Sequence, residues 1–267
     1  MNRTTLRHLL LVLTLSASSA GAQTSATPAP AEPAAASATP AEPVSSQRDY
    51  ALYVSTKLAA KPEQLAPLLV VLHGSGQRGA QMVEAWKDLA EREGLIVVGP
   101  DSLDPRQWTL PGDGPHFISA LVDAIKAKHP VDPRRVYLFG YSAGGLYALS
   151  LGLIETEYFA GVASYAAIWK TEADGAAAQF VKRRLPVKLI IGTGDALYDR
   201  DRQNAMKQTL RKARIAADLT LIEGQGHGYA SVSREVNELA WSFLREQKLA
   251  ADPVYVDYGL DAPTAAP

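Results

Sequence analysis

Val136-Tyr137-Leu138-Phe139-Gly140-Tyr141-Ser142-Ala143-Gly144-Gly145-Leu146-Tyr147-Ala148-Leu149 is the stretch on which the reading of this chain turns. Its first four residues are apolar, with β-branched and aromatic side chains, the composition of a short buried strand. The residues after Gly145 read as a helix. Between them, Gly140, Ser142 and Gly144 form a G-x-S-x-G turn, in which a sharp strand-to-helix reversal carries the serine hydroxyl clear of both elements. Glycines flank the serine because a Cβ would collide where strand and helix come so close. Ser142 is the candidate nucleophile. The competing reading is an ordinary glycine-flanked βα turn.

Working outward, a serine hydroxyl is a poor nucleophile at neutral pH and needs a general base, normally a histidine held by a carboxylate. In a fold built on such an elbow the chain order is Ser, then Asp or Glu, then His. Downstream of Ser142 there is one histidine, His227, set in Gly224-Gln225-Gly226-His227-Gly228 after the last expected strand. Asp195 directly follows the penultimate strand, framed by Gly192 and Gly194, and is the candidate acid. Asp199 and Asp201 lie further into the loop and read as caps of the next helix; Asp174, before that strand, is a weaker rival. Acyl transfer also needs N–H donors aimed at the oxyanion. Ala143, immediately after the nucleophile, supplies one. The loop His73-Gly74-Ser75-Gly76 supplies the other, from Ser75 or, alternatively, Gly76. His73 reads as structural, and His116 and His129, each beside a proline, as surface residues. Trp108, Tyr141, Trp169 and Tyr229 are candidates to line a substrate pocket.

Around these residues strands and helices alternate. Expected strands are Tyr50–Val54 (early and antiparallel), Leu68–Leu72, Leu95–Val98, Val136–Phe139, Gly161–Tyr165, Val187–Ile191 and Leu219–Ile222. Leu68–Leu72 is apolar throughout, as in a strand covered on both faces. Helical spacing marks Ala80–Arg92, with Met82, Val83, Trp86, Leu89 and Ala90 inward, and Phe117–Ile125. Further helices are expected in the elbow helix, a polar stretch ending at Arg184, Asn204–Arg214, and Val232–Gln247 with Val236, Leu239, Ala240 and Phe243 inward. The pattern is an α/β fold: a mostly parallel sheet with helices on both faces and little chain left for a lid. Ligands bind beyond the carboxyl ends of such strands, and each polar cluster named above lies at one.

The 267 residues, 47% hydrophobic and 21% charged with a formal charge of −1, suit one globular domain. No basic block suggests a nucleic-acid partner. The absence of cysteine excludes disulfides, thiolate metal sites and a cysteine nucleophile. No His/Asp/Glu cluster has metal-ligand spacing, and no cofactor is implied. Arg3 and Arg7 precede the apolar run Leu9–Leu13, and small residues end at Ala20-Gly21-Ala22; residues 1–22 read as a signal peptide. Its loss takes the formal charge from −1 to −3, leaves no membrane span, and implies export to periplasm or medium. Residues 23–46, rich in Ala, Pro, Ser and Thr, read as a disordered linker. Residues 47–249 form the catalytic domain, and 250–267 are expected to be a disordered tail.

With these residues in place, the chain resembles the α/β-hydrolase superfamily over about Tyr50 to Gln247. Leu72-His73-Gly74-Ser75-Gly76-Gln77, Ala90-Glu91-Arg92-Glu93-Gly94 and Val131-Asp132-Pro133-Arg134-Arg135-Val136-Tyr137 are similar to the polyhydroxybutyrate-depolymerase and feruloyl-esterase-like branch. The resemblance implies a secreted serine esterase acting on polyester or aryl-ester bonds. That branch often carries cysteine in the His-Gly loop, where Ser75 stands here. With no aromatic-rich binding module in view, a small or short polymeric ester is the expected substrate. A peptidase or thioesterase using the same residues, an acyltransferase, and a non-catalytic exported binding protein are the alternatives.

Overall fold

The computed structural model describes residues 48–59, 63–169, 172–197 and 199–260. The expected signal peptide and linker lie outside them. Among the described residues a seven-stranded sheet is built from β1 (Tyr50–Val54), β2 (Ala66–Leu72), β3 (Ile96–Pro100), β4 (Val131–Tyr141), β5 (Gly161–Tyr165), β6 (Val187–Gly192) and β7 (Ala217–Ile222). The α-helices are α1 (Gly79–Glu93), α2 (Pro115–Lys126), α3 (Ala143–Ile154), α4 (Arg200–Lys212) and α5 (Ser233–Leu244).

The strand order is β1-β3-β2-β4-β5-β6-β7, with β1 antiparallel to β3 and the other neighbours parallel. Every residue of β2 is buried, because helices cover both faces. Leu68, Val70 and Leu72 face the layer containing α2, α3 and α4, while Leu69 and Val71 face α1 and α5. The same alternation puts Leu138 and Val162 on the first side and Phe139, Tyr141 and Tyr165 on the second. From β2 the chain steps to one side to make β3, then crosses back to place β4 on the other side. That reversal opens a crevice between the carboxyl ends of β2 and β4, where His73 and Ser142 begin their loops.

Two expectations need correction. In α5 the buried residues are Val236, Asn237, Ala240, Trp241 and Leu244, with Leu239 and Phe243 only partly covered. Asn237 turns the face: it donates to the Ala85 carbonyl (2.8 Å) and accepts from the Tyr229 hydroxyl (2.6 Å), so an amide sits where an apolar stripe was expected. The polar helix expected to reach Arg184 is a 3-10 helix, Glu172–Phe180; small residues around Gly175–Ala178 offer little surface to stabilise a longer α-helix. The segment expected to be a tail makes contacts over its described part. Residues 250–260 form no helix or strand, yet the Val254 N–H donates to the Glu157 carbonyl (3.1 Å) and the Val256 N–H to Glu155 Oε2 (3.1 Å). Tyr258 packs on Phe180 at 4.9 Å, and Leu260 is buried. Average composition hid these anchors. Residues 261–267 lie outside the described set.

Candidate active site

Ser142 sits between β4 and α3 with φ 52° and ψ −117°, a sparsely populated conformation that persists only where its surroundings impose it. They do so on both sides. The Ser142 N–H donates to the Tyr165 carbonyl on β5 (2.9 Å), and its own carbonyl accepts from the Leu146 N–H (3.0 Å). A Cβ on Gly140 would run into the Gly144 carbonyl, and one on Gly144 into the carbonyls of Leu72 and His73. The first turn of α3 therefore lies against the end of β2.

Ser142 Oγ stands 2.9 Å from His227 Nε2, and His227 Nδ1 stands 2.7 Å from Asp195 Oδ2. Asp195 Oδ1 accepts from the Leu197 N–H (2.8 Å). The Asp195 side chain is 4% exposed against 31% for His227, so the carboxylate is shielded while the imidazole reaches solvent. A buried carboxylate requires such partners. The rival acids go elsewhere: Asp199 accepts from the N–H groups of Asp201 (2.9 Å) and Arg202 (3.0 Å) and caps α4, whose first turn holds Asp201. The Asp174 side chain lies outside the described set.

What brings Asp195 to His227 is a backbone contact between the ends of β6 and β7. The Gly194 N–H donates to the Gln225 carbonyl (2.9 Å), and the Gly224 N–H to Thr193 Oγ1 (2.9 Å). A Cβ on Gly194 would stand 2.5 Å from the Gly224 carbonyl. Glycine there is a requirement of approach.

The loop after β2 can be accounted for group by group. His73 is 1% exposed; its Nδ1 donates to the Gly74 carbonyl (2.9 Å) and its Nε2 accepts from the Ser102 N–H (3.1 Å). Burial lowers its pKa, keeping the ring neutral in its structural role. The His73 carbonyl accepts from Trp108 Nε1 (2.9 Å). The Gly74 N–H donates to Gln77 Oε1 (3.3 Å), the Gly76 N–H to the Pro105 carbonyl (2.8 Å), and the Gln77 N–H to the Gly74 carbonyl (3.1 Å). Among the bonds of the described residues, the N–H groups of Ser75 and Ala143 have no acceptor. Gly76, the alternative to Ser75, has its donor occupied.

Of the residues expected to line a pocket, Trp108 is half-buried, stacked on Tyr147 at 5.2 Å. Tyr141, Trp169 and Tyr229 are 9%, 5% and 4% exposed and belong to the core. Tyr141 ends β4 on the α1/α5 side, stacked on Tyr165 (5.9 Å) and Tyr229 (5.3 Å). Strand alternation turned it inward, which adjacency to Ser142 does not reveal. Two residues at the site were missed: Gln77, which ties the Gly74 amide, and Tyr165, whose hydroxyl donates to the Gly226 carbonyl (2.8 Å). The Tyr165 contact spans 61 positions and has no local signature.

Residues 61–252 match the dienelactone hydrolase family. A putative esterase, NocK, of Nocardia uniformis subsp. tsuyamanensis is 35% identical over 189 residues, covering 59% of this chain and 55% of that protein. Poly(3-hydroxyalkanoate) depolymerase C of Paucimonas lemoignei is 31% identical over 149 residues, covering 46% and 36%. The chain thus spans about half the length, or less, of these curated relatives. An S-formylglutathione hydrolase from Agrobacterium tumefaciens superposes with a TM-score of 0.62 at 16% identity, over 78% of this chain and 93% of that one. Est1E from Butyrivibrio proteoclasticus, solved with ferulic acid, superposes with a TM-score of 0.58 at 18% identity, over 74% and 94%. Those superpositions speak to the fold. With residues 61–252 matched, the chain belongs to the dienelactone hydrolase family and is an α/β-hydrolase by fold.

Proposed function

We propose that the chain is an exported serine hydrolase of carboxylic esters. The observation that carries this is the relay Ser142 Oγ to His227 Nε2 (2.9 Å) and His227 Nδ1 to Asp195 Oδ2 (2.7 Å), set on the strained turn at the sheet's crevice. In this reading His227 takes the proton of Ser142 as the hydroxyl attacks the ester carbonyl, and Asp195 stabilises the imidazolium. The free N–H groups of Ser75 and Ala143, the latter at a helix N-terminus, receive the developing oxyanion. His227 then returns the proton to the leaving alcohol. Water, activated by the same imidazole, releases the acid from the acyl-serine. Relatives named as esterases and a polyester depolymerase support an ester as substrate. A small or short polymeric ester is the substrate in this reading.

Hydrolysis of a chain-length series of p-nitrophenyl esters, by the protein and its Ser142→Ala variant, is the test. Ser142-dependent turnover is expected, with the preferred chain length sizing the acyl site; no turnover by folded protein across the series would refute the ester reading. Export is tested separately by N-terminal sequencing of the mature protein, expected to begin at Gln23. Among the described residues no helix is long and apolar enough to cross a membrane.

A further inference from the structure

The loop that carries His227 is rich in glycine and is braced from within by Gln225, whose Nε2 donates to the carbonyls of Gly226 (3.3 Å) and Gly228 (3.4 Å). Gly224, Gly226 and Gly228 alternate through it, Gly224 has φ 69°, and a Cβ at Gly228 would meet nothing within 4 Å. A glycine-rich segment has more backbone freedom to lose than any other, yet the imidazole must stay within hydrogen-bond reach of both Ser142 and Asp195. The contacts between Gly194, Thr193 and residues 224–225 fix the upstream end, leaving Gly226 to Tyr229 to be braced further from outside the loop.

The residues that do so are neighbours on the sheet. Tyr141 and Tyr165 pair in register across β4 and β5 and point to the same face. The Tyr165 hydroxyl donates to the Gly226 carbonyl (2.8 Å), immediately before His227. The Tyr141 ring stacks on that of Tyr229, two residues after His227, with centroids 5.3 Å apart. The Tyr141 ring also lies against the His227 ring, centroids 5.5 Å apart, while a Cβ on Gly74 would come within 2.7 Å of its edge. One tyrosine thus grips each flank of the histidine, and Tyr141 touches the oxyanion-side loop as well. Burial raises both phenol pKa values, so the hydroxyls keep their protons through the neutral range.

We infer that Tyr165 and Tyr141 are positioning residues that clamp the His227 loop, holding the imidazole on the line between Ser142 and Asp195. Neither touches the reacting atoms. The inference rests on the serine-hydrolase reading for its kinetic consequence, but the clamp itself is readable without activity.

Tyr165→Phe keeps the ring and removes the hydroxyl. The expected result is a fall in kcat of about 10- to 100-fold, the scale of a small misplacement of a catalytic group, with KM within twofold and Tm within a few degrees. Tyr141→Leu, which removes the ring lying against His227 and Tyr229, is expected to lower kcat likewise, and the double variant to lose less than the product of the two, because both side chains hold one loop. Hydrogen exchange of the peptide covering 224–230 should accelerate in each variant. Unchanged kcat and unchanged exchange in Tyr165→Phe overturn the clamp. So does a kcat loss accompanied by a matching KM change and a large fall in Tm, which would make Tyr165 a packing residue. If the wild type proves inactive on esters, the exchange measurement still decides the clamp, while the failed turnover counts against the functional reading alone.

Discussion

The two ends of the Ser142–His227 contact are built in opposite ways. Ser142 is held mainly by a tight local turn, a strand ending at Tyr141, a helix beginning at Ala143 and glycines at 140 and 144, packed against the Leu72 and His73 carbonyls with no room for a Cβ. His227 is held largely from a distance, by Thr193, Gly194 and Tyr165, in a glycine-rich loop whose own brace is Gln225, donating to the carbonyls of Gly226 (3.3 Å) and Gly228 (3.4 Å). Gly144 is surrounded by backbone; a Cβ on Gly226 would find only the Gly194 carbonyl, 3.9 Å away. A rigid local turn and a remotely braced loop can serve one proton transfer, but they fail differently. Damage to the first unfolds the protein locally, whereas damage to the second leaves a folded protein with a misplaced imidazole.

The largest effect expected separates chemistry from structure at the rigid end. Ser142→Ala should abolish p-nitrophenyl ester turnover, by about 10⁴-fold or more, with thermal melting within about 3 °C of wild type, because Ala removes one exposed-side hydroxyl and changes no packing. A large fall in Tm would mean that the hydroxyl has a structural task. Next, Gly144→Ala should cost about 3 kcal/mol or more, since the new methyl meets fixed backbone carbonyls. In a domain of this size that lowers Tm by about 6–12 °C, and activity should fall with it. A Gly144→Ala protein of normal stability would contradict the close packing of α3 on β2.

A smaller effect is expected in the brace beneath the site. His73 is buried with a pKa lowered first by desolvation, so the unfolded chain takes up a proton near pH 6.5 while the folded protein resists it. Stability is therefore complete above about pH 6.5 and declines as pH falls from there toward the folded-state value. Urea midpoints measured from pH 8 to pH 5 should drop below about 6.5, with a shallower slope in His73→Asn. An identical slope in the variant would assign the effect to other groups. The smallest effect, and the sharpest contrast with Gly144, is at Gly226 and Gly228. Alanine at either has room, and by restricting the unfolded chain should change stability by less than about 1 kcal/mol, toward the stable side. Destabilisation as large as that of Gly144→Ala would erase the distinction between the two regions.

The same division separates what could be read early from what could not. Strand β2 was legible because a run with no polar residue can only be buried on both faces, and helix α1 because its apolar residues recur at helical spacing. The face of α5 was misread by about one position, since an inward Asn237 makes sense only beside Tyr229 and the Ala85 carbonyl. The contacts of the segment beyond 250 have no local signature, because Tyr258 and Leu260 meet surfaces formed by distant residues. At the site, the acid and histidine candidates followed from chain order and from glycines at strand ends. Of the pocket candidates, Tyr141, Trp169 and Tyr229 are buried in the core and Trp108 is half-buried; nearness to Ser142 in sequence says nothing about which face of the sheet Tyr141 takes.

By itself, then, the sequence determined the elements whose causes are local: the alternation of buried strands and helices, the glycine-flanked turn at Ser142, and the order serine, aspartate, histidine. Tertiary structure alone decided which groups are free and which are taken. It left the Ser75 amide without a partner while Pro105 occupied that of Gly76, buried Tyr141 and Tyr229, and set Tyr165 beneath Gly226. The physical reason is reach. Periodicity and turn chemistry act over a few residues, whereas a hydrogen bond between positions 61 or 85 apart exists only after the sheet has brought its strands into register.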